Sequence, residues 1–213
     1  MDGTPPTVFI VDDDEAVRDG LGELLRAEGI AARPFDSAED FLAAKVERDA
    51  GCLIVDIHMP GLTGLALQRD LSERGVRLPV IVITGQGDVP KAVEALKAGA
   101  VDFIEKPFSA ETLLKAVHEA LNREDHLRRT RNRLSETRSC LELLTARERE
   151  VMELMVAGHP NKIIGIHLNI STRTVENHRA KVMEKMRCDN LSALIHLILR
   201  MTQSADEDAW RPG

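Results

Sequence analysis

Long hydrophobic runs are missing from this chain: none approaches the ~18 consecutive apolar residues that a membrane span needs. The opening residues, Met1-Asp2-Gly3-Thr4-Pro5-Pro6, lack the basic and apolar regions of a secretory signal. The three cysteines, Cys52, Cys140 and Cys188, are widely scattered with no CxxC pair, which argues against both a disulfide framework and a zinc site. No GxxxxGK[ST] or GxGxxG loop occurs, so nucleotide binding ranks low. No pattern recurs as an internal repeat. Neither proline nor glycine appears between Pro107 and Gly158, so nothing local breaks a helix there. The expected location is the cytoplasm, with no membrane partner.

At 213 residues the chain has room for one large domain or two ordinary ones. Charge favours two. Residues 1–122 hold 22 Asp/Glu against 12 Lys/Arg, a net of −10, whereas residues 123–213 hold 13 against 16, a net of +3.

The stretch Cys52-Leu53-Ile54-Val55-Asp56-Ile57-His58-Met59-Pro60-Gly61 dominates the acidic half. A short apolar run stopped by turn residues suits a strand buried on both faces, as in a parallel sheet. Asp56 then stands at the carboxyl end of its strand, where open α/β sheets place ligands. Strand-like and helix-like patterns alternate around it. Strands are expected at Thr7–Val11, Ile30–Phe35, Cys52–Asp56, Pro79–Thr84 and Ala100–Glu105. Helices are expected at Ala16–Ala27, after the N-cap Ser37, at Gly64–Arg74 and at Pro90–Ala98. Gly20 and Gly22 inside the first helix cost ~1 kcal/mol each relative to alanine, so close packing or slack is expected there. Five strands alternating with helices predict a doubly wound parallel sheet.

The first strand runs into Asp12-Asp13-Asp14-Glu15. The ends of strands one and three are neighbours in such a sheet, so Asp12, Asp13 and Asp56 are expected in one small pocket. Carboxylates so close repel one another unless a cation sits among them. Oxygen-only ligands with room for water suit Mg²⁺. Lys106, after the fifth strand, adds a fixed positive charge, and Thr84, ending the fourth, adds a hydroxyl. A nucleophilic carboxylate, a divalent cation, a lysine and a hydroxyl are together what phosphoryl transfer to Asp56 requires.

These residues carry a resemblance. Val-Asp-Asp with Asp12 and Asp13, Asp-Ile-His-Met-Pro-Gly with Asp56, Ile-Thr-Gly with Thr84 and Glu-Lys-Pro-Phe with Lys106 make residues 7–122 similar to a response-regulator receiver domain, of flavodoxin-like fold. The resemblance implies Asp56 as phospho-acceptor. It also implies Mg²⁺ held by Asp13, Asp56 and the His58 backbone carbonyl, with Asp12 acting mostly through water, and a cis Lys106–Pro107 bond. His58 and Gln86 fall where receivers tune phosphate lifetime. Thr84 and Phe103 are the expected switch pair: Thr84 turns inward to the phosphate and Phe103 fills the vacated space. The region of Val89, Lys91, Ala92, Ala95, Lys97 and Ala98 becomes the expected dimer face. A sensor histidine kinase is the implied partner, docking on the first helix (Ala16, Val17, Gly20) and near Phe108.

Ser109 is a good N-cap for a long helix from Ala110. Residues 123–139 hold six arginines and three acids. Leu127, Leu134 and Leu141 recur every seven residues, with Thr130, Thr137 and Leu144 three after each. Two readings stay open: a solvated linker helix, or a coiled-coil seam weakened by its threonines. Thr145-Ala146-Arg147-Glu148 is a capping box. It opens four expected helices, from 146 to Gly158, at 161–168, at 172–186 with Ser171 as N-cap, and at 191–201. The middle pair makes a helix-turn-helix held by Ile164, Leu168, Ile170, Val175 and Val182, with the second helix offered to the major groove. Thr-Ala-Arg-Glu-Arg-Glu-Val (145–151), Gly158, Asn161-Lys162 and Ile170 to His178 make residues 145–202 resemble the DNA-binding domain of the FixJ/NarL/LuxR type. Glu176, Asn177 and Ala180 are expected at base edges, with Arg179 nearby. Lys162, Arg173, Lys181 and Lys185 are expected at phosphates, and Thr172 and Thr174 complete the interface. Gly165 stands where this family more often has alanine, which predicts a looser scaffold helix.

The expected organisation is a receiver domain over 1–122, a helical linker over 123–143, an all-α four-helix helix-turn-helix domain over 144–202 and a disordered tail over 203–213. Within the tail, the lone Trp210 reads as incidental. The expected function is that of a two-component response regulator of the FixJ type. It is phosphorylated on Asp56 by the kinase, pairs as a homodimer and binds double-stranded DNA with paired half-sites to regulate transcription. RNA polymerase is a further candidate partner. Two rivals remain: a Mg²⁺-dependent phosphohydrolase, for which residues 1–122 supply no cap or substrate pocket, and a regulator governed by protein contact instead of phosphate.

Overall fold

A computed structural model describes residues 5–46, 50–76, 78–85 and 89–209, with only the backbone at 89 and 203–209. Internal packing divides the chain into two units, 1–128 and 129–213. Val89's side chain and Gln86 therefore lie outside the described residues, as does Trp210.

In the first unit β1 (Thr7–Val11), β2 (Ala31–Phe35), β3 (Gly51–Asp56), β4 (Val80–Thr84) and β5 (Asp102–Glu105) form a five-stranded sheet. Its order is β2-β1-β3-β4-β5 and every pairing is parallel. Helices α1 (Glu15–Ala27), α2 (Ala38–Ala43), α3 (Gly64–Glu73), α4 (Val89–Lys97) and α5 (Ala110–Glu142) connect and follow the strands. The expected doubly wound sheet is present, with boundaries within two residues of those read from the strand patterns.

The apolar runs are explained by period-two alternation between two covered faces. Phe9, Val11, Leu53, Val55, Val80 and Val82 join Phe35, Phe41, Leu67, Leu71 and Ala95 in one core. Val8, Ile10, Cys52, Ile54, Ile81, Ile83 and Ile104 join Leu21, Leu25, Leu113, Ala116, Val117 and Ala120 in the other. Each fully buried Leu or Ile contributes ~1.5–3 kcal/mol of burial free energy. The side-by-side strands β1, β3 and β4 are therefore the rigid floor of the site. Strand β2 lies at the edge and carries Pro34, the position in a sheet where a missing N–H is tolerated.

Three local expectations change. At Gly20 and Gly22 an added Cβ would meet nothing within 4 Å, so slack, and not close packing, is what these glycines confer. Helix α4 buries Ala92 and Ala95, two residues of the expected dimer face, and exposes Val93 (45 %) and Leu96 (42 %). The small residues face inward because the helix lies against the sheet there. In the seven-residue series of α5, Leu127 is exposed, while Thr137 is buried with its hydroxyl donating to the Arg133 carbonyl at 2.7 Å.

The second unit contains the end of α5, α6 (Ala146–Val156), α7 (Asn161–Leu168), α8 (Thr172–Lys185) and α9 (Leu191–Ala209). Val151, Met155, Ile164, Val175, Val182 and Leu194 are wholly buried or nearly so, and Leu168 and Ile170 pack beside them partly exposed. Helix α9 runs past the expected end at Met201 into the segment expected to be disordered. The segment 202–209 holds no glycine or proline to stop it.

Gly165 corrects the expectation of a loose helix. A Cβ there would lie 2.8 Å from the Ile170 carbonyl oxygen, and the Gly165 carbonyl accepts from Ile170 N–H at 2.9 Å. The missing side chain lets the turn close tightly onto α7.

Candidate functional site

The ends of β1, β3, β4 and β5 bring four sequence-predicted residues together. Asp12 follows β1, Asp56 ends β3, Thr84 ends β4 and Lys106 follows β5. Asp12 (2 % exposed) and Asp56 (6 %) are buried carboxylates. Lys106 Nζ lies between them, 2.9 Å from Asp12 Oδ2 and 2.8 Å from Asp56 Oδ1. The remaining carboxylate oxygens take main-chain donors: Asp12 Oδ1 accepts from Asp14 N–H at 2.9 Å, and Asp56 Oδ2 from His58 N–H at 2.5 Å. Burial works to lower the pKa of the Lys106 ammonium. The hydrogen bonds to Asp56 and Asp12, reinforced by their charges, outweigh it and leave the value above that of an ordinary lysine.

Backbone geometry fixes each group. Lys106 N–H donates to the Thr84 carbonyl at 2.7 Å, and the Lys106–Pro107 peptide is cis, as expected. The buried Thr84 hydroxyl donates to the Gly85 carbonyl at 3.4 Å. After β3 the chain folds back so closely that a Cβ on Gly64 would stand 2.2 Å from the Asp56 carbonyl oxygen. Only glycine fits there.

Asp13 does not join this pocket. It is exposed, and Asp14 caps α1 by accepting from Ala16 N–H at 2.9 Å. The expected cluster of three carboxylates is thus replaced by two carboxylates sharing one ammonium. Among the described residues no three His, Cys, Asp or Glu side chains are grouped to hold a metal ion. The donor chemistry itself is oxygen only and suits Mg²⁺, with Lys106 supplying the counter-charge in this arrangement.

Two side-chain contacts near the site, one of them made by a residue of the expected dimer face, were not foreseen from the sequence. Arg18, on α1, donates to the Asp12 main-chain carbonyl at 2.7 Å. Lys91, in the first turn of α4, meets His58: Nζ and Nε2 are 2.5 Å apart. A basic residue early in each helix was the only sequence signal for either. Phe103 is 38 % exposed on β5, an outward-facing aromatic and not part of the core.

In the second unit α7, the turn 169–171 and α8 form the helix-turn-helix. Asn169 adopts the left-handed region (φ 53°) and Ser171 caps α8 by accepting from Thr174 N–H at 3.1 Å. Lys162, Thr172, Arg173, Glu176, Asn177, Ala180 and Lys181 are exposed, while Thr174 and Arg179 are partly buried. Lys185 departs from its expected role. Its ammonium donates to Glu148 Oε2 at 2.6 Å and to the Leu143 carbonyl at 3.0 Å, so it serves the fold and not a phosphate. The Lys185 hydrogen bond first, then the Thr145 main-chain N–H, hold the buried Glu148 carboxyl at a pKa of about 2. The capping box itself is complete.

Residues 8–118 match the family model for the response regulator receiver domain, and residues 142–198 match that for bacterial regulatory proteins of the luxR family. The transcriptional regulatory protein FixJ of Azorhizobium caulinodans is 44 % identical over 202 residues, spanning 95 % of this chain and 96 % of the relative. The response regulator protein TodT of Pseudomonas putida is 39 % identical over 206 residues, spanning 97 % and 91 %. Among solved structures, the response regulator StyR is similar with a TM-score of 0.87 at 38 % identity, covering 92 % of this chain and all of that one. Full-length FixJ from B. japonicum gives 0.58 at 38 %, covering 94 % and 98 %. The matched domains and relatives are regulators and not enzymes, which removes the phosphohydrolase rival.

Proposed function

This chain belongs to the response regulators, a receiver domain joined to a LuxR-type DNA-binding domain for the control of transcription, and from that membership we propose that phosphorylation of Asp56 by a sensor histidine kinase switches it between states. The observation that carries the reading is the shared ammonium: Lys106 sits at 2.8 Å from Asp56 and 2.9 Å from Asp12 at the carboxyl ends of their strands.

An Asp56 oxygen attacks the donor's phosphorus in line, the bond from phosphorus to the donor breaks, and an acyl phosphate remains. Lys106, already hydrogen-bonded to Asp56, turns to the incoming phosphoryl oxygens. Asp12, Asp56 and the His58 carbonyl, joined by Asp13 once its exposed side chain turns in, are the oxygen donors that would hold Mg²⁺, which when bound would neutralise charge on the phosphoryl oxygens. Thr84, whose hydroxyl donates to the Gly85 carbonyl at 3.4 Å, turns to make a hydrogen bond to the phosphoryl group. Phe103 then moves inward, and the surface of α4 and β5 becomes the homodimer face. Paired domains bind double-stranded DNA at two half-sites, with Glu176, Asn177 and Ala180 at base edges and Lys162, Arg173 and Lys181 at phosphates. RNA polymerase is a further candidate partner on this reading, and the cytoplasm the expected location. No helix among the described residues is long and apolar enough to cross a membrane.

The test is incubation with acetyl phosphate and Mg²⁺, followed by mass spectrometry of the peptide bearing Asp56 and by titration of genomic fragments. A labile adduct absent from Asp56→Asn, with specific DNA binding that depends on it, is the expected result. Adduct formation elsewhere, or equal DNA affinity for wild type and Asp56→Asn, would favour control by protein contact.

A further inference from the structure

His159, in the turn that leads into α7, and His167, in the last turn of that helix, bring their rings together. The ring centres are 5.5 Å apart and the planes differ by 33°. Backbone caps fix both residues. Gly158, at φ 83°, ends α6 with its N–H on the Met155 carbonyl at 3.0 Å, and His159 N–H donates to the Leu154 carbonyl at 3.0 Å. Pro160 follows as the N-cap of α7. At the other end of α7, Ile170 N–H closes on the Gly165 carbonyl at 2.9 Å. The Leu168 carbonyl, next to His167, accepts from Arg147, whose charge is paired with Glu150 at 2.7 Å. Neither stretch of main chain can drift far, so the two imidazoles are kept together.

The acceptor site at the strand ends offers oxygen, whereas this pair offers nitrogen. An unprotonated imidazole nitrogen is a ligand for Zn²⁺, Cu²⁺ and Ni²⁺. With metal–nitrogen bonds of ~2.0–2.1 Å, two imidazoles on one ion have ring centres about 5–6 Å apart for bond angles from tetrahedral upward. The separation of 5.5 Å meets that requirement. His159 is partly buried and His167 exposed, so an ion can reach them from solvent. No third His, Cys, Asp or Glu side chain joins them among the described residues, and water would fill the remaining positions.

We propose that His159 and His167 form a two-imidazole site for a first-row transition-metal cation such as Zn²⁺. The bound ion ties the residue that leads into α7 to the last turn of the helix. It thereby braces the scaffold helix on which the turn 169–171 and α8 are built. Binding to the folded form alone raises stability by mass action. Donor type keeps the ions apart: carboxylate and carbonyl oxygens suit Mg²⁺, imidazoles the heavier cation. The inference rests on these two residues and does not depend on Asp56 being the acceptor.

The experiment titrates full-length protein with ZnCl₂ by calorimetry above neutral pH, with Mg²⁺ in excess to keep zinc off the carboxylates at the strand ends. It compares wild type, His159→Ala, His167→Ala, the double variant and His196→Ala, which replaces an exposed histidine of α9 as a control. Each of His159→Ala and His167→Ala is expected to weaken zinc binding by about 10-fold or more, since loss of even a supporting partner costs ~10–100-fold at metal sites. The second substitution adds little to the first, and His196→Ala binds as wild type does. Another readout needs no loss of a side chain: in wild type the imidazole nitrogen signals of His159 and His167 shift together by NMR and saturate at one equivalent. Zinc raises the melting temperature of wild type and not of the double variant. Unchanged affinity in either single variant, an equal loss in His196→Ala, or zinc-induced shifts at other histidines only each overturns the inference and leaves the pair a ring contact.

Discussion

Lys185 Nζ donates to Glu148 Oε2 at 2.6 Å across a separation of 37 residues, which fastens the last turn of α8 to the capping box that starts α6. Helix α8 is thereby anchored at the end away from the turn, and the anchor is ionic.

That anchor predicts an acid sensitivity. Glu148 sits at about 2 in the folded protein against an ordinary 4.5. A depressed carboxylate contributes stability that is complete above about 4.5 and is lost as pH falls toward about 2. Glu148→Gln is expected to melt below wild type at neutral pH, with the difference closing through that window. Thermal unfolding followed by circular dichroism measures it; a difference that does not change with pH contradicts the assignment.

Gly64 and Gly165 should both resist alanine, and for the same reason. The added methyl would press on a main-chain oxygen, at 2.2 Å in the first case and 2.8 Å in the second. Overpacking of this kind costs ~1–3 kcal/mol. Gly64→Ala is expected to lose the larger amount and to slow phosphorylation, because the oxygen belongs to Asp56. Gly165→Ala is expected to weaken DNA binding while leaving phosphorylation intact. Denaturant unfolding that finds either variant as stable as wild type would refute the close approach.

On the proposed interface, Arg173→Ala should weaken binding on all sequences alike and lower the salt slope by about 1. Asn177→Ala should cost ~1–3 kcal/mol on the preferred site and relax the choice of base there. Titrations at several salt concentrations on specific and scrambled DNA separate the two. Identical profiles for both variants would remove Asn177 from base reading.

Phe103→Ala should still accept phosphate on Asp56 but fail to pair in response. Sedimentation of the phosphorylated variant checks this, and a wild-type dimer fraction would discharge Phe103 from the switch.

The sheet and the acceptor site were largely legible because their signals are local. Apolar runs bounded by turn residues mark β1, β3 and β4, and the polar residue ending each strand can only fall at the carboxyl edge. Asp56 and Thr84 follow from that, and Asp12 and Lys106 stand one residue past the ends of β1 and β5. Contacts set by tertiary approach left no such trace. Nothing in the spacing of Lys185 distinguishes an anchor for Glu148 from a phosphate ligand, since both uses want a lysine late in α8. Asp13 reads like Asp12, yet one side chain turns into the pocket and its neighbour into solvent. The inward turn of Ala92 and Ala95 depends on how closely α4 lies on the sheet, and the cost of a methyl at Gly165 depends on where Ile170 ends up.

The sheet's outer border has a consequence for a protein proposed to pair in response to a signal. Strand β2 closes the sheet with Pro34, whose ring nitrogen carries no hydrogen, beside an exposed Arg33 whose guanidinium lies 5.1 Å from the Phe35 ring centre. A strand so furnished is a poor template for another molecule's strand. Crowding these molecules together therefore need not glue them edge to edge, and their association can be left to surfaces that respond to a signal.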